Sequence, residues 1–226
     1  MRRLLLLLVA LLALSACGGG DDDGGGSAGT DTSTVPEASA NPPGSCSQVA
    51  PPEPKQEGGG EKQTKLPSGK KLELVVETNC GTFTIKLDPA AAPKTVASVA
   101  GLAESGFYDN TTFHRIVPGF VIQGGDPTAT GTGGPGYSTV DTPSQSTKYT
   151  RGVVAMAKTP TEAPGTSGSQ FFVVTGADIG LPPEYAVIGK VTEGIAVVNK
   201  IGRLGDPATE EPTQVVLISR MRLKDA

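Results

Sequence analysis

The chain has 226 residues, a formal net charge of −4 at pH 7 and a single histidine, His114. This length accommodates one domain of ordinary size, about 100 to 150 residues, together with unstructured segments. A negative net charge without a block of basic residues excludes the electrostatic surface of a nucleic-acid-binding protein. One histidine and three cysteines exclude His-rich metal sites and four-thiolate zinc sites, so no metal or other cofactor is predicted.

The N-terminus has the pattern of an export signal. Two arginines precede an apolar run from Leu4 to Leu14, which is shorter than the about 20 residues of a membrane span. The Leu-Ser-Ala-Cys sequence that ends at Cys17 resembles the lipobox of bacterial lipoproteins. This resemblance implies a signal peptide over residues 1–16, a lipidated Cys17 and an exported protein anchored to the outer face of the cytoplasmic membrane. The alternative is an ordinary secretory signal with a chance cysteine.

Residues 17–70 are rich in Gly, Asp, Ser, Pro and Glu and contain few large apolar side chains. Such a composition buries too little apolar surface to offset the entropy of ordering, and it predicts a disordered tether. As a flexible coil the tether would reach roughly 40 Å. An exported compartment permits a disulfide between Cys46 and Cys80, although their spacing equally allows two independent thiols.

From Lys71 onward, apolar residues alternate with polar and turn residues. Two alternating segments, 72–77 and 82–87, are joined by "TNCG" and predict a β-hairpin. Pro93 begins and Gly106 ends an amphipathic helix. Many short strands with only two helices indicate an antiparallel barrel or sandwich. The further predicted strands are 116–123, 152–157, 170–175, 186–191 and 215–223, and the second helix is expected near 193–201.

Five motifs occur in the order and near the spacing typical of cyclophilins: "FHRIVPGFVIQGGD", "GTGGPG", "GVVAMA", "GSQFFVVT" and "YAVIGKVTEGIAVVNKI". The region 71–226 therefore resembles a cyclophilin-type peptidyl-prolyl cis/trans isomerase. The resemblance implies a mainly β fold, a closed eight-stranded antiparallel barrel capped by two α-helices, with a substrate groove on its outer surface. It also implies action on Xaa-Pro bonds, and the export signal predicts that these belong to exported proteins. A monomer is expected, because the sequence shows no determinant of oligomerisation. A non-catalytic proline-peptide-binding chaperone or scaffold is the alternative.

The chemistry of this reaction explains why an arginine lies among aromatic residues. Twisting an amide bond costs about 18 to 20 kcal/mol, and no covalent intermediate is needed. A catalyst must bind the proline ring in an apolar pocket and place a cationic donor at the prolyl nitrogen, a role that suits arginine. Arg115 is thus the predicted catalytic residue. The resemblance implies these substrate-binding residues: Phe120, Val121, Gln123, Gly131, Ala157, Gln170, Phe172, Leu181 and Tyr185.

Other residues are predicted to be structural. His114 is not expected to act as a base, because the reaction transfers no proton. Asp126 is interpreted as a turn or capping carboxylate. "GTGGPG" fits the spacing of a dinucleotide-binding fingerprint, but that site needs a preceding parallel strand and a following helix. The chain departs from many eukaryotic cyclophilins by lacking tryptophan, which predicts weak cyclosporin binding, and by placing Lys158 where asparagine is usual.

Overall fold

The computed structural model describes residues 45–63, 65–66 and 70–225. The predicted signal peptide, the lipobox with Cys17 and residues 18–44 of the predicted tether lie outside these ranges. In the described part, no helix is both long and apolar enough to cross a membrane. The strands are β1 (Lys70–Thr78), β2 (Gly81–Leu87), β3 (Thr111–Val117), β4 (Val121–Asp126), β5 (Thr139–Val140), β6 (Val153–Met156), β7 (Thr166–Ser167), β8 (Phe171–Val174), β9 (Val187–Glu193) and β10 (Leu217–Asp225), and the helices are α1 (Pro93–Glu104) and α2 (Ile195–Ile201).

The predicted first hairpin and first helix are confirmed. Strands β1 and β2 pair antiparallel up to Thr78 and Gly81, and Gly81 adopts a φ of 125°, which glycine tolerates at a turn. Helix α1 begins at Pro93, where a missing N–H costs nothing. Its predicted apolar face, which includes Val96 and Val99, is buried.

Eight strands close into a barrel in the order β1, β10, β3, β4, β8, β6, β9, β2, and all of the pairings are antiparallel. Strand β1 pairs with both β2 and β10, so the sheet has no free edge. The predicted barrel is therefore confirmed over the sandwich. Phe83, Phe113 and Phe171 are at most 1 % exposed and fill the interior, with the rings of Phe113 and Phe171 in edge contact at 5.9 Å.

The prediction of one strand over residues 116–123 is wrong. A turn at residues 118–120 separates β3 from β4, because Pro118 cannot donate a ladder hydrogen bond and Gly119 adopts a φ of 73°. The turn makes β3 and β4 antiparallel neighbours and places Arg115 opposite Gln123. A small sheet formed by β5 and β7 outside the barrel was not predicted.

The N-terminal boundary of the ordered region also differs from the prediction. Residues 45–63 form an ordered segment on the domain, which we call the strap, so the disordered tether does not extend to residue 70. Cys46 and Cys80 form a disulfide, and both are buried. Beside this bond, the Ser47 N–H donates to the Asn79 carbonyl at 2.9 Å, and the Asn79 amide donates to the Ser47 carbonyl at 2.7 Å.

Further along the strap, hydrogen bonds replace the missing apolar burial. The Lys55 N–H donates to the Pro127 carbonyl at 2.8 Å, and the Lys55 ammonium donates to the Phe107 carbonyl at 2.9 Å. The Gly58 and Gly60 N–H groups donate to the carbonyls of residues 134 and 135 at 2.9 and 3.1 Å. Composition predicted disorder because it registers only the low hydrophobicity, whereas a disulfide and backbone hydrogen bonds to the domain order the strap.

Candidate active site

Arg115 projects from the centre of β3 and is held by two side chains. Its Nε donates to Glu210 Oε2 at 2.7 Å, and its Nη1 donates to Gln123 Oε1 at 3.2 Å. The Arg115 side chain remains 37 % exposed, so a substrate can reach the guanidinium. The guanidinium is planar and rigid, so these two hydrogen bonds fix its orientation and leave its other N–H donors available.

A row of hydrogen bonds extends from Arg115 across the barrel surface. Gln123 Nε2 donates to Gln170 Oε1 at 3.0 Å, and Gln170 Nε2 donates to the carbonyls of Gly131 and Gly133 at 3.0 and 2.9 Å. The antiparallel pairing of β4 with β8 brings Gln123 close to Gln170. The two glutamines therefore connect Arg115 with the glycine-rich loop and fix the position of the Arg115 guanidinium.

A cavity of about 190 Å³, walled by aromatic and aliphatic side chains together with polar ones, lies at Arg115. The rings of Phe172 and Tyr185 meet edge to face at 5.6 Å, and Phe172 is only 4 % exposed, so the walls are rigid. This geometry suits a small apolar ring held next to a cationic donor. The residues that line it are Arg115, Phe120, Val121, Gln123, Ala157, Lys158, Phe172, Leu181 and Tyr185.

The other two predicted site residues, Gly131 and Gln170, line a second cavity of about 450 Å³. The two cavities share Gln123, Ala157 and Lys158, so they form one continuous groove. The structure thus brings together all ten residues predicted from the sequence, while their individual roles in binding and catalysis stay predictions.

Asp126 organises the glycine-rich loop, as its interpretation as a turn carboxylate predicts. One carboxylate oxygen accepts from the Thr128 N–H and hydroxyl at 2.7 and 2.8 Å, and the other accepts from the N–H groups of Gly131 and Gly133 at 2.6 and 3.2 Å. The side chain is fully buried. Burial by itself raises the pKa of Asp126, but the hydrogen bonds from Thr128, Gly133 and Gly131 outweigh it and hold the pKa below its ordinary value.

The loop does not form a dinucleotide site. Strand β4, which precedes it, pairs antiparallel with both of its neighbours, and the next described element is the short strand β5 rather than a helix. No helix N-terminus therefore faces Gly131, as pyrophosphate binding would require. In the structure, the Gly131 and Gly133 carbonyls of this loop accept hydrogen bonds from Gln170 and hold its side chain.

His114 packs beside Gly131 of the glycine-rich loop. By strict geometry neither ring nitrogen makes a hydrogen bond with the described residues, although the Thr112 backbone and the Gln170 side chain lie close enough to favour the protonated ring and raise its pKa. Burial lowers the pKa of His114, and the nearby Asp126 carboxylate only partly offsets this effect. A neutral imidazole packed near Gly131 fits the prediction that His114 is not a catalytic base.

Two charged contacts at the site were not predicted. Glu210, which pairs with Arg115, lies in the loop before β10 and adopts a φ of 62°, uncommon for a residue with a side chain. No local pattern could reveal it, because 95 residues separate the partners. Lys158 is also paired: its side chain is 3 % exposed, forms a 3.0 Å ion pair with Glu184 and lies 5.6 Å from the Tyr185 ring centroid.

A closed antiparallel barrel with an arginine, two glutamines and an aromatic pocket on its outer face defines the cyclophilin class of proteins. The family described as cyclophilin type peptidyl-prolyl cis-trans isomerase/CLD matches residues 73–223, and the chain belongs to this family. It is a peptidyl-prolyl cis-trans isomerase.

Similar proteins agree with this assignment. Peptidyl-prolyl cis-trans isomerase-like 1 of Neurospora crassa is 39% identical over 155 residues, which cover 67% of this chain and 93% of the relative. An isomerase of Arabidopsis thaliana is 35% identical over 163 residues, covering 70% and 98%. A solved cyclophilin of Cryptosporidium parvum, crystallised in the presence of the dipeptide Ala-Pro, has a TM-score of 0.63 and 32% identity over 68% of this chain and 99% of that one.

Proposed function

We propose that this isomerase is an exported, lipid-anchored enzyme that accelerates the folding of other exported proteins at the outer face of the cytoplasmic membrane. The leader with its cysteine at position 17 supports export and anchoring. The Cys46–Cys80 disulfide supports the same location, because disulfides persist mainly in oxidising compartments outside the cytosol. We also propose that it acts as a monomer.

Arg115 is the proposed catalytic residue, and its position in the wall of the cavity beside Phe120 and Phe172 carries the proposal. The proline ring would occupy the cavity between Phe120, Phe172 and Tyr185. As the C–N bond twists, the prolyl nitrogen loses amide resonance and gains a lone pair, which the fixed guanidinium can stabilise. Gln123 would hydrogen-bond the peptide backbone while bracing the arginine. That a related cyclophilin was crystallised in the presence of Ala-Pro supports a proline-containing peptide as the ligand.

The decisive measurement is cis/trans exchange of an Ala-Pro peptide by NMR, because uncatalysed exchange takes tens of seconds. We expect strong acceleration by the wild-type chain and a loss of about a hundredfold or more in Arg115→Ala, which corresponds to roughly 3 kcal/mol of barrier lowering. Arg220→Ala removes an exposed arginine on β10 and should retain full activity.

Peptide affinity, measured on the same variants, separates an enzyme from a binding scaffold. If Arg115→Ala loses turnover and keeps affinity, the groove catalyses isomerisation. Wild-type protein that binds the peptide without accelerating exchange would instead be a scaffold, and the catalytic role of Arg115 would be rejected.

The anchor is tested by expressing the full chain in a bacterial host with a radiolabelled fatty acid. Label and membrane association should both be lost in Cys17→Ser and retained in Cys46→Ser, which breaks the Cys46–Cys80 disulfide and leaves Cys17 in place. Equal labelling of wild type and Cys17→Ser would contradict lipidation at Cys17.

A further inference from the structure

The strap reaches the substrate groove. Glu57 lines the larger cavity together with the glycine-rich loop and Gln170. This cavity adjoins the pocket proposed for proline, with which it shares Gln123 and Ala157. Because the family match begins at residue 73, Glu57 is contributed from outside the cyclophilin domain proper.

The strap holds the Glu57 backbone at a defined position. Two residues before it, Lys55 donates through its N–H to the Pro127 carbonyl and through its ammonium to the Phe107 carbonyl. Immediately after it, the Gly58 N–H donates to the Gly134 carbonyl. Contacts on both sides confine the backbone, and the exposed Glu57 side chain has no hydrogen bond or ion pair with other described residues.

The charges around this cavity favour a cation. Lys158 in its wall is 3 % exposed and already paired with Glu184. The Glu162 carboxylate accepts hydrogen bonds from the backbone and hydroxyl of Thr159, and no cation pairs with it among the described residues. Lys62 of the strap also lies at this cavity, because its ammonium donates to the Ser138 carbonyl at 3.1 Å and lies 5.7 Å from the Tyr137 ring centroid. The carboxylates of Glu57, Glu162 and Glu184 still outnumber the two ammonium groups of Lys62 and Lys158, and the Glu57 carboxylate has no hydrogen bond or ion pair among the described residues.

We propose that the strap is a wall of the substrate groove and that Glu57 selects substrates with a basic side chain close to the isomerised proline. This inference rests on the proposed function of the groove. The two cavities share three residues, and an extended peptide advances by about 3.3 to 3.6 Å per residue, so the basic side chain lies within about two residues of the proline.

The test measures kcat/KM of the full chain on a series of peptides that contain Ala-Pro. Each peptide carries Lys, Ala or Glu at one flanking position, and the positions tested are the two before and the two after this dipeptide. At one position the wild type should turn over the Lys peptide about two- to fivefold faster than the Glu peptide, the range expected for an exposed charge pair. Glu57→Gln should make kcat/KM equal for the Lys and Glu peptides, and Glu57→Lys should make the Glu peptide the faster substrate. Glu53→Gln, an exposed strap residue outside the cavity, is the matched control and should retain the wild-type ratio.

Salt separates a charge effect from a steric one, because the screening length falls to about 3 Å at 1 M. The Lys/Glu ratio of the wild type should approach one at high salt, and the control Glu53→Gln should turn over the Ala peptide as the wild type does. Equal turnover of Lys and Glu peptides, or a ratio unaffected by Glu57→Lys, would overturn the inference while leaving the isomerase function intact. Failure to accelerate any peptide would instead refute the proposed function.

Discussion

Replacing Asp126 by asparagine tests whether one buried carboxylate organises the groove. Asp126 accepts four hydrogen bonds, two on each oxygen. Asparagine keeps one oxygen and places an NH₂ group where the other stood. If that group faces Thr128, the hydroxyl can accept from it, but the Thr128 N–H loses its acceptor. If it faces the loop, both Gly131 and Gly133 lose theirs.

The cost follows from these contacts. At least one N–H, half-buried at Thr128 or buried at Gly133, is left unpaired, at about 1 to 3 kcal/mol, and the remaining bonds change from charge-assisted to neutral, which removes about 1 kcal/mol more. We expect a loss of about 3 kcal/mol in the free energy of unfolding, or a decrease in Tm of about 6 to 12 °C for a domain of this size. Because Gly131 and Gly133 hold Gln170, kcat/KM should also fall several-fold.

Urea unfolding followed by far-UV circular dichroism measures this loss, since the chain has no tryptophan to report fluorescence. Asp141→Asn is the control: Asp141 accepts one hydrogen bond, from the Thr95 N–H at 2.7 Å, and asparagine can still accept it. That variant should lose no more than about 1 kcal/mol. Equal destabilisation of the two variants, or a loss below about 1 kcal/mol in Asp126→Asn, would refute the reasoning.

Four other outcomes follow from the structure. Because the pKa of Asp126 is lowered from 3.8, its stabilisation is complete above that pH and is lost as pH falls through the folded-state pKa; acid unfolding of wild type, compared with Asp126→Asn, should show this dependence. Burial lowers the pKa of His114 from 6.5, so its NMR titration midpoint should lie below 6.5; a midpoint above that value would contradict the buried, neutral imidazole. Glu210→Gln should lower kcat about three- to tenfold with little change in KM, because Glu210 positions Arg115 rather than contacting substrate; an effect on KM alone would assign it to binding. The double variant Cys46→Ser/Cys80→Ser should lose about 3 to 4 kcal/mol, given a sequence separation of 34 residues; unchanged urea unfolding would show that the disulfide does not stabilise the domain.

Features encoded by local pattern could be predicted from the sequence. Alternation of apolar and polar residues predicts β1 and β2, and Pro93 with Gly106 delimits α1 to within two residues. Nine of the ten site residues lie in motifs whose order and spacing are typical of cyclophilins, and Leu181 lies just before the last of them. Each motif is a continuous segment of a strand, a loop or neighbouring elements, so it could be identified without knowledge of how the strands pair.

Contacts between distant residues required the tertiary structure. Glu210 reaches Arg115 across 95 positions through a loop with a left-handed backbone, and neither partner indicates the other in the sequence. The strap is the clearest case. Its low hydrophobicity predicts a disordered tether, because residues that bury little apolar surface cannot by themselves offset the entropy of ordering. Only the folded barrel supplies the Cys80 thiol and the carbonyl groups of its loops that fix this segment beside the substrate groove.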